Sequence, residues 1–395
     1  MTRRVVVTGL GVVAPNGVGT EAFWDNVTRG INGVSEYDWG PRFGLASRVM
    51  GAVDGFDGDG RQVAFALAAS AMAVADAGLE GAALDRDRFG VTIATAIGDA
   101  AAMERNLLAP RVEAGFARAF DFGRAAAEAA TRFGARGAAT TLSTGCTAGI
   151  DALGFGLDEI REGRAEVMLA GASEAPLCPL AVGSFEALGA LSTRACADPR
   201  EASAPFSADR DGFVIGEGAA MLVLEAAEHA EARGARAYAE LAGYASVNNA
   251  FHMTDLAADG AAMARCMELA LADAGCDAEA IDHVAAHGSS TPQNDLHETA
   301  AIKRVFGARA ARIPVNSLKS MTGHALAAAN AIEAAALCLE IRHALLHPTI
   351  NHRRAAAECD LDYVTDGARA VRIGAALKLA SGFSGIHSVL VLRAA

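Results

Sequence analysis

The sequence predicts an α/β protein made of two similar halves, each with strands and helices alternating around a sheet. The first observation is a repeat: the segment ADAG closes a helical stretch at residues 75–78 and again at 272–275, and an apolar strand follows each copy. The second is that TGC at 144–146 and TGH at 322–324 each open a long apolar helix. Features repeated in the same order indicate a duplicated architecture, and alternating strands and helices are typical of α/β folds.

The starts of the two halves resemble each other more loosely, as VVVTGLG at 5–11 and AELAGY at 239–244. We therefore predict halves at residues 1–238 and 239–395, related by a pseudo-twofold axis. No linker rich in Pro, Gly or Ser separates them, so they are expected to form one compact body. Short apolar strands between helices also indicate sheets covered on both faces. The alternative is that an Ala-rich chain produces such echoes by chance.

The composition is that of a globular protein with ample core. Of 395 residues, 52% are hydrophobic and 21% are charged. With 42 glycines and only 6% aromatic residues, the chain is expected to pack backbone close to backbone. The net charge of -13 argues against nucleic acid as a partner, because binding to phosphates requires a basic surface.

Two features of the chain indicate its compartment. The longest apolar stretch, residues 325–341, includes Asn330, Glu333 and Glu340, which predicts a buried helix rather than a membrane span. The seven cysteines form no CxxC pair, and an odd number makes a poor disulfide framework. We therefore predict a reduced, cytoplasmic protein with no membrane anchor.

Cys146 is the first candidate for chemistry. It lies in LSTGCTAGI at residues 142–150, a strand-to-helix turn in which Gly145 and Gly149 allow a tight turn and close helix packing. A thiol at a helix N-terminus faces unpaired N–H groups and the positive end of the helix dipole, and both favour the nucleophilic thiolate. The alternative is that Cys146 is a small buried hydrophobic residue.

His287 is the second candidate. It follows a strand in AAHGSSTPQND at 285–295, and strand ends are where α/β proteins place their sites. The loop after it is rich in hydroxyl groups, including those of Ser289 and Thr291. The alternative is a loop capped by its own Ser and Thr side chains.

A third cluster lies in NSLKSMTGHA at 316–325, which contains Lys319 and His324. Glu333 follows on the same predicted helix, among apolar residues. A carboxylate buried there needs a cation, and Lys319 is the nearest in sequence. The alternative is that Glu333 faces water.

The segment SGFSG at 381–385 lies between two strand-like stretches near the C-terminus. Its glycines predict a flexible turn. That turn is either an ordinary hairpin or the source of a backbone N–H group for an oxyanion.

Other patterns give no sign of a cofactor. His343 and His347 are four residues apart, but no Glu adjoins them as in HExxH, and Pro348 follows at once. No Cys/His cluster has zinc spacing, and the sequence has no GxGxxG or P-loop. We therefore predict no metal and no nucleotide or redox cofactor.

Taken together, these segments resemble the elongating β-ketoacyl–carrier-protein synthases of the thiolase superfamily, nearly end to end. The most specific match is PFSADRDGFVIGEG at 205–218. The opening VVVTGLGVV, LGALST at 188–193, HMT at 252–254 and PTIN at 348–351 match as well. The resemblance implies the thiolase fold, in which two pseudo-symmetric halves form a five-layered αβαβα body. The nucleophilic Cys would lie in the first half and both catalytic His in the second.

Within that family, STGCTAGIDALG at 143–154 and SGFSG most resemble the ketosynthase subunit of bacterial type II polyketide systems. In those systems it pairs with a homologous chain-length factor that lacks the nucleophile. The resemblance therefore implies a heterodimer with such a subunit, or otherwise a homodimer, acting on acyl carrier protein. One alternative is a synthase II that elongates fatty acids. A second, a non-catalytic pairing subunit, is disfavoured by the intact Cys–His–His set.

The resemblance implies a decarboxylative Claisen condensation. Cys146 would accept an acyl chain from a carrier-protein thioester, with the N–H groups of Cys146 and Phe383 as the oxyanion hole. Phe383 would also act as a gate, and Ser384 lies beside it. His287 and His324 would hold the thioester carbonyl of malonyl carrier protein while carbon dioxide leaves.

Supporting roles follow from the same resemblance. Lys319, paired with Glu333, would orient the histidines electrostatically. No separate cofactor is expected, because the substrates travel on the phosphopantetheine arm of acyl carrier protein. The implied substrate-binding positions are Ser289, Thr291, His252 and Thr254.

The sequence departs from the family pattern in four places. Asn249 stands where the fatty-acid branch has an acid, and Ser289 stands where Thr is usual. Ser384 replaces a glycine beside the gating Phe383. The helix after Arg61 is apolar where fatty-acid relatives have a basic cluster, so the docking surface for carrier protein must lie elsewhere or on a partner subunit.

Overall fold

The computed structural model of the chain describes residues 3–56, 60–111, 115–194, 196–257 and 259–395. Its strands are β1 (Val5–Ala14), β2 (Gly17–Val18), β3 (Ser35–Glu36), β4 (Val49–Met50), β5 (Phe89–Ala94), β6 (Ala139–Thr140), β7 (Val167–Glu174), β8 (Gly218–Ala226), β9 (Ala239–Asn248), β10 (His283–Ala285), β11 (Pro314–Asn316), β12 (Leu345–Leu346), β13 (Asp362–Tyr363), β14 (Arg369–Ala370), β15 (Ala375–Ser381) and β16 (Ile386–Arg393). Its helices are α1 (Thr20–Thr28), α2 (Arg61–Asp76), α3 (Ala100–Leu108), α4 (Phe116–Ala119), α5 (Arg124–Phe133), α6 (Ala148–Arg161), α7 (Pro179–Ala187), α8 (Ala227–Ala232), α9 (Ala261–Ala274), α10 (Pro292–Phe306), α11 (Lys319–Thr322) and α12 (Ala327–His343).

The main strands of each half follow the same order. The first half runs β1-β8-β7-β5-β6 and the second runs β9-β16-β15-β10-β11, with β13 beyond β11. In both halves the first two neighbouring pairs are antiparallel and the next two are parallel. The repeat in the sequence therefore corresponds to a duplicated sheet, and the predicted α/β class is confirmed.

The two halves meet at their first strands. β1 and β9 pair antiparallel, through Val6 with Glu240 and Val7 with Ala239. An antiparallel pair of equivalent strands is what a pseudo-twofold axis between the halves requires. The exact boundary between residues 238 and 239 stays a prediction.

Two helices fill the space between the sheets of the halves. α6 contacts β5, β7 and β8 on one side and β9 and β16 on the other, and α12 likewise contacts strands of both halves. On the outside, α2 and α5 cover the first sheet, while α9 covers the second and packs against α10. The layers are thus α, β, α, β and α, as the thiolase fold requires.

Small residues let the two central helices approach each other closely. A Cβ added at Gly149 of α6 would lie 2.5 Å from the carbonyl oxygen of Ala327 and 2.9 Å from the backbone nitrogen of Ala331. Only a residue without a side chain fits between these backbones. The Gly- and Ala-rich composition therefore packs backbone against backbone, as predicted.

The helix predicted from residue 325 begins at Ala327 instead. Leu326 has a φ of 47°, a left-handed value that a right-handed helix cannot include. From Ala327 to Ile341 every residue of α12 is buried, as predicted for this stretch. Across the described residues, no helix combines the length and the apolar character needed to cross a membrane.

The contact between β1 and α2 provides a test of this close packing. A Cβ at Gly11 would lie 2.0 Å from the carbonyl oxygen of Ala69, so Gly11→Ala must push the strand and the helix apart. Over-packing typically costs about 1–3 kcal/mol, and we expect the free energy of unfolding to fall by an amount in this range or more. Chemical denaturation would measure the change.

Gly115→Ala is the matched control for that experiment. Gly115 has a φ of -69°, and among the residues that the structure describes nothing lies within 4 Å of the added Cβ. Its stability should stay close to that of the unchanged chain. Equal stability of the two variants would contradict the close contact at Gly11.

Candidate active site

Cys146 lies in a tight turn at the start of a central helix. It occupies the 3-10 turn Gly145–Thr147, which leads directly into α6. Gly145 has a φ of 65°, a left-handed value that favours glycine. The hydroxyl of Thr147 donates to Asp151 in the next turn at 2.8 Å. The turn is therefore fixed by the helix that it begins.

His287 lies two residues after the end of β10, a parallel strand. Glu298 of α10 accepts the backbone N–H of His287 at 2.6 Å and that of Gly288 at 2.8 Å. The Glu298 side chain is fully buried, which raises the pKa of its carboxyl group to about 7. Glu298 was not identified from the sequence, because only the folded chain brings α10 against the turn at His287 and Gly288.

His324 follows α11, and its main chain is held on both sides. Its N–H donates to the carbonyl oxygen of Val214 at 2.7 Å, and its own carbonyl accepts the N–H of Gly216 at 2.9 Å. The ring centroids of His287 and His324 are 5.2 Å apart, with the planes at 80°. Phe213 lies against the His324 ring, also at 5.2 Å. Two histidines from different segments thus converge on one place.

The predicted residues gather around a single cavity of about 410 Å³. Those that line it are Cys146, His287, His324, Ser289, Thr291, Thr254 and Phe383. Those that do not line it are Lys319, Glu333, His252 and Ser384.

A buried ionic group lies behind the histidines. Lys319 Nζ is 2.6 Å from Glu333 Oε1, and Lys378 Nζ is 2.8 Å from Glu333 Oε2. None of these side chains is more than 5% exposed. The Lys319–Glu333 pair is the one expected from the sequence, whereas Lys378 was missed. Its signal was a single charge in the otherwise apolar AALKLAS stretch of β15.

Lys319 also determines which nitrogen of His287 carries the proton. Its Nζ donates to the His287 carbonyl oxygen at 2.7 Å and lies 3.5 Å from His287 Nδ1. An ammonium group has no acceptor, so Nδ1 must face it with a lone pair and the ring proton must be on Nε2. Burial, reinforced by the charge of Lys319, lowers the pKa of both His287 and His324 well below the usual value. Both rings are therefore neutral at neutral pH.

The thiol of Cys146 differs from the expectation based on its helix start. Burial raises the pKa of Cys146 to about 12, although Lys319 and the backbone N–H groups of Cys146 and Phe383 lower it. The helix end favours the thiolate, whereas the loss of water around the sulfur disfavours it. In the structure burial is the larger effect, and the resting residue is a thiol.

The gate residues lie in the turn between β15 and β16. Phe383 is 36% exposed, and its ring centroid is 6.2 Å from that of Phe185. Ser384 has a φ of 65°, and its N–H donates to the carbonyl oxygen of Met253 at 2.6 Å. Asn248 Nδ2 donates to the Ser384 carbonyl oxygen, also at 2.6 Å. The turn is thus tied to the loop that follows β9.

That loop contains two of the predicted substrate positions and places them differently. The N–H of Thr254 donates to His252 Nδ1 at 3.2 Å. Thr254 reaches the cavity, but the His252 side chain is 54% exposed and stays outside its lining. Ser289 and Thr291, with hydroxyl oxygens 2.9 Å apart, also line the cavity. The structure therefore brings three of the four positions together.

Known proteins match the chain over both halves. Residues 2–230 match the family model of the beta-ketoacyl synthase N-terminal domain, and residues 238–353 match that of the C-terminal domain. The tetracenomycin polyketide synthase ketoacyl synthase alpha subunit of Streptomyces glaucescens is 43% identical, over 99% of this chain and 97% of its own length.

Solved structures match the fold over the whole chain. One is a chain from a type II PKS acyl-carrier protein in complex with its ketosynthase bound to the hexaketide, with a TM-score of 0.98, 56% identity and 100% of both chains covered. Another is the ishigamide ketosynthase/chain length factor, with a TM-score of 0.92, 35% identity and the same coverage. Both family domains match in order, across the same two halves that the fold repeats, and the chain therefore belongs to the beta-ketoacyl synthase family of acyl-transferring condensing enzymes.

Proposed function

We propose that this chain is a ketosynthase of type II polyketide biosynthesis, which condenses an acyl chain bound to Cys146 with malonyl carrier protein by decarboxylative Claisen chemistry. The observation that carries the proposal is one cavity in which the Cys146 thiol meets two neutral imidazoles, those of His287 and His324. The alpha subunit of the tetracenomycin system, 43% identical, favours the polyketide branch over fatty-acid elongation.

In the first half-reaction the sulfur of Cys146 attacks the thioester carbonyl of acyl carrier protein. The new carbon–sulfur bond forms as the bond to the phosphopantetheine sulfur breaks, and the thiol proton ends on that leaving sulfur. A neutral imidazole in the cavity can accept the proton in passing. The N–H groups of Cys146 and Phe383 face the sulfur, and there they would stabilise the tetrahedral oxyanion.

In the second half-reaction His287 and His324 donate from their neutral rings to the thioester carbonyl of malonyl carrier protein. As carbon dioxide leaves, the electron pair of the broken bond becomes an enolate, whose oxygen these donors hold. The carbanion then attacks the acyl group on Cys146. A carbon–carbon bond forms, the Cys146 thiolate leaves, and it takes up a proton from water.

Lys319 and Glu333 act on this chemistry without lining the cavity, so we propose them as positioning residues. Lys319 sets the tautomer of His287, and Glu333 fixes Lys319. We assign the phosphopantetheine arm to Ser289, Thr291 and Thr254 along the cavity wall. Because the substrates travel on that arm, the proposed reaction uses no separate cofactor.

We also propose that the chain pairs in the cytoplasm with a homologous chain-length factor, or otherwise with a second copy of itself. All seven cysteines are free, which suits a reducing compartment. Leu107 and Leu108 are 72% and 77% exposed at the end of α3, and Phe120 is 52% exposed nearby in sequence. Large exposed apolar side chains of this kind indicate an interface.

Acyl carrier protein is the proposed partner for substrate delivery. The guanidinium of Arg61 is not free to bind it, because a carboxylate of the same chain already pairs with this charge. Arg61 Nε donates to Glu217 at 2.9 Å. Positive charge for an acidic carrier protein must therefore come from other arginines or from the partner subunit. Neither nucleic acid nor a membrane is part of the proposal.

Alanine substitutions should separate the two half-reactions. Cys146→Ala is expected to leave no adduct after incubation with labelled acyl carrier protein. His287→Ala and His324→Ala should retain self-acylation, while condensation falls by about 10²–10³ because a donor to the developing oxyanion is lost. Mass spectrometry of the protein and of the carrier-bound products measures both. An adduct on another cysteine of Cys146→Ala, or near-normal condensation by both His variants, would contradict the roles.

The neutral histidines predict a flat pH profile for decarboxylation of malonyl carrier protein. Because burial and Lys319 lower both pKa values below 6.5, the rate should be constant from pH 6.5 to about 8, and protonation should affect it only at lower pH. Lys319→Met removes the nearby charge and should move the inflection upward toward 6.5. An inflection at 6.5 in the unchanged chain would contradict the neutral-imidazole mechanism.

Subunit pairing can be tested by purification with and without the homologous partner. Alone, the chain is expected to be poorly soluble or to form a homodimer with little elongation activity. The exposed apolar residues would then remain uncovered, and the partner subunit would not be present to help shape the tunnel that holds the growing acyl chain. Co-expression should restore solubility and give a product of defined length. If the homodimer elongates acyl chains as efficiently as the pair, the chain is instead a synthase that elongates fatty acids.

A further inference from the structure

Asn330 is a buried polar residue of α12 that the mechanism above leaves unused. Its side chain is 0% exposed. Its Nδ2 donates to the carbonyl oxygen of Cys146, while its Oδ1 has no hydrogen-bond partner in the part of the chain that the structure describes. An unpaired buried oxygen costs folding free energy, so its presence calls for an explanation.

The close crossing of the central helices brings Asn330 to the nucleophile. Where Gly149 of α6 passes α12, an added Cβ would lie 2.9 Å from the backbone nitrogen of Ala331, the residue after Asn330. Glu333 follows Asn330 by three positions, and residues at this spacing share a helix face. One face of α12 thus holds the main chain of Cys146 through Asn330 and the ammonium of Lys319 through Glu333.

Asn330 also acts on His287. Burial and neighbouring cations lower the pKa of His287, and the Asn330 side chain opposes them, as an amide oxygen does when it faces a ring N–H. The contact falls short of a full hydrogen bond in the resting chain, since Oδ1 is unpaired. The amide therefore binds the main chain of Cys146 and is close enough to His287 to raise the pKa of its imidazole.

We propose that Asn330 is a positioning residue that sets the placement of the acylated Cys146 relative to the substrate held at His287. The inference rests on the proposed function. Acylation takes place at Cys146, and decarboxylation takes place at the histidines. Bond formation additionally requires the carbanion and the acyl carbon to be aligned with each other. A displacement of about 1 Å costs about 10²-fold in a step of that kind. Loss of Asn330 should therefore slow condensation far more than self-acylation or decarboxylation measured alone.

The test compares Asn330→Ala with the unchanged chain and with Cys338→Ala. Cys338 is fully buried on the same helix and has no part in the proposed mechanism, so this variant controls for a cavity in α12. Three rates are measured: self-acylation, decarboxylation of malonyl carrier protein without an acyl group, and condensation. In Asn330→Ala condensation should fall about 10²-fold and the other two by less than about threefold, so malonyl groups are lost without extension.

Asn330→Asp provides a second variant of nearly the same shape. A carboxylate cannot donate to the Cys146 carbonyl, so condensation should fall as in Asn330→Ala. Its negative charge facing His287 should also raise that pKa and move the inflection of the decarboxylation profile to higher pH. A purely structural role for Asn330 would not move this profile.

The outcomes separate the inference from the proposed function. Unchanged condensation in both Asn330 variants, or an equal loss of all three rates together with a lower Tm, would overturn the inference. If the unchanged chain neither self-acylates nor condenses, the proposed function fails instead. If Asn330→Ala does not fold, the rates and pH profile of Asn330→Asp decide the question.

Discussion

The arrangement of the site depends on one buried carboxylate, that of Glu333, held between the ammonium groups of Lys319 and Lys378. Charges this far from water are tolerated when they are paired, and removing one partner leaves an uncompensated charge in the core. Glu333 fixes Lys319, and Lys319 in turn fixes the tautomer of His287. Because two cations face one anion, the excess positive charge also helps to keep the imidazoles neutral.

The duplicated fold delivers the reacting groups to this ionic centre. In each half a turn after a parallel strand opens a central helix, with Cys146 before α6 and His324 before α12. The pseudo-twofold axis places the two turns near each other, and Gly149 sets how closely the helices cross. Two equivalent positions in a repeated architecture thus hold different groups with complementary chemistry.

Features that the sequence predicted well are those with a local or chemical cause. The duplicated α/β architecture followed from the repeat, and the start of α6 just after TGC followed from the turn at Gly145. The contact between Lys319 and Glu333 followed because a buried carboxylate requires a cation. Each of these features depends on residues close in sequence or on the cost of burying a charge.

Features that the sequence did not predict depend on tertiary contacts. Glu298 and Lys378 reach the site from α10 and β15, and nothing local shows where those elements lie. Leu326 delays the start of α12 through a left-handed backbone that its residue type does not suggest. The thiolate expected at Cys146 was wrong because a helix-end argument does not include desolvation.

The protonated state of Cys146 has a consequence for the lifetime of the enzyme. Thiolates, rather than thiols, react with peroxides and exchange with disulfides. A nucleophile with a raised pKa therefore exposes little thiolate to such oxidants while no carrier is bound. Reactivity arises only when an incoming thioester lies against the sulfur and its charge is shared with the surrounding N–H groups. The raised pKa would consequently slow the loss of the nucleophile to oxidation between rounds of chain growth.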